Sequence, residues 1–499
     1  MDATAASGTG SMRYWPEVKS EVLRWKFTPF EVKGKPVMAR VEEYVDLVPP
    51  EKLPTIHVPP PAVRPESKVK IVLERSGCYG TCPSYTVAVS TDGRIVFDGY
   101  GYVVASGRYT DAVAPGAVRD LARKFVAADF YSMDAEYRAL VTDNPTYVLC
   151  ITIDGHQKKV VDYVGDWVGM PAAITDLEDE VDAFARTQRW ITGSEGLVQS
   201  LSAEHFNFQS FEAQVILKGA ATRGQTATVR ELLKAGVPLR PIPGPKPKEP
   251  YMMVPFQYTG WLAAASRHLE ALRVLLDAGA SRTDQVDKDE ALAEAASSGN
   301  VDAAKALIAY GANPNADLSK TVIPEPGGGA GTIYGEGAGS ILIYAAQSGN
   351  PNVVRLILRY HPNLEARDRE GKTAVFAAGE YRGEDDETGR VECVRLLALA
   401  GANVNARDKG GDTPLHEIFL TSVEAELLKL GANVNARNND GETPIFTNVD
   451  DDSIPLFLAH GADLSIRDKA GETVMEAAKR QGPAREEALR KAIDNFEKR

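Results

Sequence analysis

Gly401-Ala402-Asn403-Val404-Asn405-Ala406-Arg407 returns unchanged, thirty residues on, as Gly431-Ala432-Asn433-Val434-Asn435-Ala436-Arg437. Weaker copies stand at Gly461-Ala462-Asp463-Leu464, Gly311-Ala312-Asn313-Pro314-Asn315, Gly279-Ala280 and Gly236-Val237; His361-Pro362-Asn363-Leu364 fills the same slot without glycine. A second phrase follows the first at a fixed distance: Asp408-Lys409-Gly410-Gly411-Asp412-Thr413-Pro414-Leu415-His416, echoed from Asp368, Asp440 and Asp468. Self-similarity at a period near thirty marks stacked supersecondary units, because one such unit cannot bury its apolar face alone.

Each residue type has a place in a helix pair. Thr413 offers a hydroxyl to cap a first helix, and Pro414 suits the first helical position, where a missing N–H is harmless. Val394, Leu396 and Leu397 supply an apolar face for the neighbouring pair, and Gly401, Gly431 and Gly461 end the second helices in a left-handed turn. These phrases resemble the ankyrin repeat, with its Gly-x-Thr-Pro-Leu-His opening and Gly-Ala-Asn-Val-Asn close. The resemblance implies an all-α solenoid over 211–499, of about eight units, whose function is to bind a protein partner. Insertions are expected near 241–256 (proline-rich), 317–340 (glycine-rich) and 380–390 (acidic). The unit from Asp408 to Asn438 falls short of the usual length, so its helices or their link must be trimmed, and the array closes on a charged helix over 483–498.

Upstream the periodicity changes from helical to alternating. Val69–Glu74 and Tyr85, Val87, Val89 read as strands, Asp92-Gly93 and Asp154-Gly155 as hairpin turns, and Val118, Leu121, Ala122 and Phe125 as one face of a helix beginning near Pro115. A second helix is expected over 171–186. The order ββββ-α-ββ-α predicts a small α+β domain over 67–192, followed by a linker at 193–210. Its string Gly77-Cys78-Tyr79-Gly80-Thr81-Cys82-Pro83, with Thr142-Asp143-Asn144-Pro145-Thr146 and Val161-Asp162-Tyr163, resembles a bacterial domain family of unknown function often found in exported or envelope proteins. That resemblance brings no activity with it. The fold class is therefore multidomain: an all-α ankyrin solenoid preceded by a small α+β domain.

The first 48 residues read as a helix bearing Val18, Val22 and Trp25, then a hairpin around Gly34-Lys35-Pro36. Val22–Pro29 with Gly34–Val37 resembles the closing half of a TonB C-terminal domain, a periplasmic adaptor. Residues 49–66 form a proline-rich linker, stiff and extended.

Lys and Arg number 56 against 69 Asp and Glu, for a net charge of −13. A chain so acidic lacks the cationic footprint that neutralises phosphates, which argues against nucleic acid as its ligand. No apolar run reaches the length of a membrane span. The start of the chain lacks the cationic and apolar regions of an export signal, which points to the cytoplasm, whereas the family resemblances point to the periplasm or envelope.

Cys78 and Cys82 are the leading chemical feature. A local disulfide, a reduced structural pair and a redox or metal site all remain open; the four-residue separation is not that of the usual redox motif, and a metal needs more ligands. Cys150 and Cys393 are expected in the core. Asp143, Asn144, Asp162 and Tyr163 could converge on a polar site. Gly371-Lys372-Thr373 lacks the first glycine of a phosphate loop, and His416-Glu417 has Leu420 where a zinc protease needs its second histidine. Neither Asp450-Asp451-Asp452 nor any histidine set makes a metal site, so no cofactor is expected. Trp15, Trp25, Trp167, Trp190 and Trp261 are expected mainly in the core. The leading reading is a non-catalytic protein-binding scaffold of a bacterium; the rival is thiol/disulfide or other enzyme chemistry at Cys78/Cys82 with the repeats as a targeting arm.

Overall fold

A computed structural model describes residues 57–240, 242, 262, 265–280, 285–319, 339–380, 387–447 and 452–497, with the strand pairs 31–32/35–36 and 323–324/330–331. The chain forms two compact units, Met1–Phe208 and Gln209–Arg499. Strands β1 (Glu31–Val32) and β2 (Lys35–Pro36) pair antiparallel, where the sequence places a hairpin. The preceding helix, with Trp15 and Trp25, lies outside the described residues. From residue 57 the proline-rich segment has no helix or strand, and its Val58 N–H donates to Ser132 Oγ at 2.8 Å.

Seven strands build the sheet of the first unit: β3 (Val69–Arg75), β4 (Ser84–Ser90), β5 (Arg94–Gly101), β6 (Gly107–Ala112), β7 (Glu136–Arg138), β8 (Tyr147–Ile153) and β9 (His156–Tyr163). Their order is β6-β5-β4-β3-β8-β9-β7, antiparallel except for the β7–β9 pair. Alternation puts Ile71, Leu73, Val87, Val89, Ile95, Leu149 and Ile151 on one buried face. Helix α1 (Pro115–Ala127) turns Val118, Leu121, Ala122 and Phe125 inward, and α2 (Ala172–Ala185) adds Ile174, Leu177 and Val181. Each such side chain larger than alanine contributes about 1.5–3 kcal/mol on full burial. Trp190 stacks on Phe97 at 4.9 Å between centroids, and Phe97 on Tyr85 at 5.3 Å.

Two features depart from the sequence reading. β7 was not expected, because three residues at a sheet edge are too few to display an alternation. Residues 193–210 are not simply a linker: after α3 (Gln188–Thr192), helix α4 (Leu197–Ala203) buries Leu197 and Leu201. The flanking Gly193 and Gly196, both with positive φ, punctuate the stretch so closely that a seven-residue helix leaves little periodic signal.

The second unit is a succession of helix pairs. In chain order they are α5/α6 (Phe211–Thr222, Thr226–Lys234), α7 (Leu269–Asp277, its first partner falling mostly outside the described residues), α8/α9 (Gln285–Ser297, Val301–Ala309), α10/α11 (Ile341–Gln347, Pro351–Leu358), α12/α13 (Ala374–Gly379, Glu387–Ala400), α14/α15 (Pro414–Glu417, Thr421–Lys429), α16/α17 (Pro444–Thr447, Ser453–Ala459) and α18/α19 (Val474–Gln481, Pro483–Glu497). Val394 and Leu397 are buried as expected, while Leu396 is half-buried. Gly401, Gly431 and Gly461 follow second helices with φ of 104°, 94° and 84°. His361 holds that slot at φ 51°, a conformation that disfavours any Cβ-bearing residue by about 1–2 kcal/mol.

The thirty-residue spacing is met by cutting the first helices of the sixth and seventh pairs to four residues each. Ile418 follows the first of these and packs against the end of α12, the first helix of the preceding pair, where a Cβ on Gly379 would lie 2.1 Å from Ile418 Cδ1. Gly379→Ala is expected to destabilise the second unit by about 1–3 kcal/mol through this overlap, measured by urea unfolding with circular dichroism, and Ile418→Val should recover part of the loss. The base of the glycine-rich insertion is clamped by Leu318 N–H on the Gly339 carbonyl at 2.9 Å, and part of it pairs as β10 (Ile323–Pro324) with β11 (Ala330–Gly331). Most of 241–256, and 381–386 of the acidic insertion, lie outside the described residues.

Candidate functional site

The repeated phrases of the second unit build a row of hairpins tied to one another. Arg407 Nη1 donates to the Gly411 carbonyl of its own hairpin at 3.0 Å and to the Arg437 carbonyl of the next at 2.5 Å. Arg367 does the same with Gly371 and Arg407, and Arg437 donates through Nε to Gly441 and through Nη2 to Arg467. Asn405 Nδ2 donates to the Gly431 carbonyl at 3.0 Å while its Oδ1 accepts from Asn433 N–H at 2.7 Å; Asn435 repeats both bonds to Gly461 and Asp463. The backbone joins the tips as well, through Lys409 N–H to Glu370, Asn439 N–H to Gly410 and Lys469 N–H to Asp440. The identical recurrence of Asn405/Asn435 and Arg407/Arg437 is the sequence signal for this ladder, though their bonding was not anticipated.

Thr413, Pro414 and His416 sit together at the start of α14. The Thr413 hydroxyl lies 2.9 Å from His416 Nδ1, and Nδ1 also accepts the Thr413 backbone N–H at 3.1 Å, closing a capping box. His416 Nε2 is 3.1 Å from the Glu442 carbonyl of the next unit. A carbonyl only accepts, so the neutral ring carries its proton on Nε2. Burial holds this imidazole below its ordinary pKa, against the opposing pull of the Glu442 carbonyl. The unfolded chain therefore takes up a proton that the native ring resists, and stability falls as pH drops below about 6.5 towards the native value. His416→Ala leaves a buried N–H and a carbonyl without partners. It should lower stability by about 2–3 kcal/mol in urea titrations at pH 7.5, with a smaller difference from wild type at pH 5.5.

Asp408, Asp412 and Glu417 bring carboxylate oxygens within 4.8 Å of one another. These groups are engaged in the hairpin itself. Asp408 Oδ1 accepts the Asp412 N–H at 2.9 Å, Asp412 Oδ1 accepts Asn438 Nδ2 at 2.8 Å, and Glu417 pairs with Lys372 at 2.9 Å. The cluster closes turns and crosslinks neighbouring repeats.

In the first unit Cys78 and Cys82 are joined as a disulfide with Cα atoms 5.5 Å apart. Their loop is tied to the 142–146 loop by Tyr79 N–H to the Asp143 carbonyl at 3.2 Å and Ser76 N–H to the Thr146 carbonyl at 2.9 Å. The four polar candidates gather at this end of the sheet in part. Asn144 N–H approaches Tyr163 Oη at 3.4 Å, and that hydroxyl donates to the Val141 carbonyl at 2.9 Å. Asp143 is exposed, with φ 69°, and contributes its carbonyl. Asp162 is buried and accepts the Gly165 N–H at 2.7 Å, closing its own turn. Of the remaining cysteines, Cys393 is buried, its thiol pushed up to about 12 by that burial, whereas Cys150 is only half-buried and accepts from Gln157 Nε2.

Sequence reading missed the polar network behind these loops. Asp182 of α2 accepts Tyr85 Oη at 2.7 Å, Arg75 Nε at 2.9 Å and the Thr187 hydroxyl at 2.8 Å. Arg75 also lies over the Tyr147 ring at 4.3 Å. Burial and the Asp182 charge raise the Tyr85 phenol. Glu178, 1% exposed, has no hydrogen-bond partner for Oε1; burial, then the Asp162 charge, push its carboxyl up to about 8. Burial likewise raises Asp162. No spacing in the sequence ties Arg75, Tyr85 and Asp182 together.

Comparison with known proteins finds a family match within each unit. A domain of unknown function, DUF6438, matches residues 69–185, and the ankyrin-repeat family matches 217–318 and 330–408. Among curated proteins, the E3 ubiquitin-protein ligase KEG of Arabidopsis thaliana is 29% identical over 155 residues, 31% of this chain and 8% of that protein. Diacylglycerol kinase iota of Mus musculus is 38% identical over 101 residues, 20% of this chain and 9% of that protein; its Homo sapiens counterpart is 37% identical over the same length. The chain thus spans less than a tenth of the length of these relatives. It carries a DUF6438 domain followed by ankyrin repeats.

Proposed function

We propose that this chain is a non-catalytic scaffold of a bacterial cell envelope that holds a protein partner on the hairpin tips and first helices of its ankyrin repeats. Ankyrin repeats imply protein binding, and one observation carries the finer reading. The ladder arginines Arg367, Arg407, Arg437 and Arg467 recur unchanged, while the tips they hold differ: Arg369-Glu370, Lys409-Gly410, Asn439-Asp440 and Lys469-Ala470. A constant frame under a variable rim is what recognition needs, since stacking must be conserved from unit to unit and contact chemistry must not. The Cys78–Cys82 disulfide supports an oxidising compartment. The test is quantitative affinity isolation from native extracts with the full chain against a Lys409→Glu/Asp440→Lys/Lys469→Glu variant. One protein retained by the wild type and lost by the variant supports the reading. Identical recoveries by the two contradict it.

A further inference from the structure

We propose that the end of the first unit's sheet framed by Tyr79, Leu140 and Trp167 docks a Lys/Arg-bearing peptide segment. Three loops meet there: the disulfide loop joining β3 to β4, the 139–146 loop running into β8, and the turn after β9. The registers Arg75↔Tyr147, Tyr147↔Asp162 and Arg138↔Tyr163 place all three at the same strand ends. Each loop lifts one large apolar side chain into solvent: Tyr79 is 91% exposed, Trp167 67% and Leu140 55%. Trp167 is thereby no core residue, in contrast to its expected place.

Exposed Tyr and Trp on a braced backbone are the residues on which binding energy concentrates. The brace is present here. The disulfide ring and the Tyr79–Asp143 backbone bond fix one loop. Gly165, whose Cβ would lie 2.9 Å from both Tyr137 Cβ and Asp162 Oδ1, seats the Trp167 turn against β7. Little ordering remains to be done on binding.

Charge selects the occupant. Residues 76–83, 139–146 and 164–171 contain no Lys or Arg, but they expose Asp143 and Asp166. The two guanidinium groups at this end are engaged: Arg75 with Asp182 and the Tyr147 face, Arg138 with Glu136 and the Tyr163 face at 5.0 Å. An anionic rim with free aromatic faces matches a cationic side chain, which gains both from the carboxylates and from cation–π contact.

The test uses the full oxidised chain and fluorescence anisotropy. Its probes are a labelled twelve-residue peptide of repeated Lys-Gly-Arg-Ala, the same peptide with Gln at every Lys and Arg, and chitohexaose as a neutral oligosaccharide competitor. Saturable binding of the cationic peptide is expected, at least about tenfold tighter than the Gln peptide. Tyr79→Ala/Trp167→Ala should weaken it at least about tenfold. Asp143→Asn/Asp166→Asn, which leaves every apolar contact in place, should weaken it several-fold, whereas Leu399→Ala in the second unit should leave it unchanged. Wild-type affinity in either double variant, equal binding of the Gln peptide, or displacement by chitohexaose would overturn the proposal.

Discussion

Asp182→Ala is expected to lower the stability of the first unit by about 3–5 kcal/mol, the effect of breaking a buried charge pair from one side. Three donors lose their acceptor at once: the Tyr85 hydroxyl, the Arg75 guanidinium and the Thr187 hydroxyl. Tyr85 is fully buried, and the Arg75 and Asp182 side chains are only 14% and 12% exposed, so little water reaches the donors that the carboxylate leaves. Hydrogen exchange in β3, β4 and β5 should accelerate by two to three orders of magnitude, while exchange in α14–α17 stays at the wild-type rate. Asp182→Asn keeps an acceptor for Tyr85 but not the charge that pairs with Arg75, so it should fall between the two. Unchanged exchange in β3–β5 would show that the network is decorative.

Glu178 sets the second large effect, and it runs with alkali rather than acid. The native carboxyl keeps its proton up to about pH 8, whereas the unfolded one releases it near 4.5. Across that interval the folded state binds the extra proton, so stability declines as pH rises from about 4.5 to 8 and then levels off. The loss amounts to roughly 3–5 kcal/mol at about 1.4 kcal/mol per unit of separation. Glu178→Gln is neutral at every pH and should remove this slope. The variant is expected to match the wild type near pH 5 and to exceed it at pH 8.5 in the exchange protection of β8 and β9. A wild-type profile that is flat between pH 5 and 8.5, or a variant with the same slope, contradicts the assignment.

The repeats were legible in the sequence because their order is local. Gly401, Gly431 and Gly461 do at each position what the same residue does in any helix C-terminus, and Pro414 needs no knowledge of the rest of the chain. The β-hairpins at Asp92-Gly93 and Asp154-Gly155 were legible for the same reason: Gly93 and Gly155 have φ of 83° and 88°. Interactions between distant residues were not. Arg75 and Asp182 are brought together only when β3 and α2 pack, and a single arginine among so many charged residues carries no mark of its partner. Glu178 sits on a helix whose pattern of charge reads as a solvated face, yet it is turned inward next to Ile174, Leu177 and Val181. Trp167 erred in the opposite direction. Tryptophan in an amphipathic setting is usually buried, and only the left-handed Val164 and Gly169 around its short 3₁₀ turn direct it outward. The disulfide lay between these cases: the spacing of Cys78 and Cys82 allowed it, and the loop brings their Cα atoms to 5.5 Å, a distance the spacing alone does not fix.

The most direct test of the account is site-specific photo-crosslinking of the full chain in its native host. Benzoylphenylalanine is placed at Lys409, Asp440 or Lys469 on the hairpin tips, and at Leu399 or Lys429 on the second helices. The account predicts one and the same protein crosslinked from all three tips and from neither second-helix position. Crosslinks of equal yield from both sets, or a different protein from each tip, would contradict it.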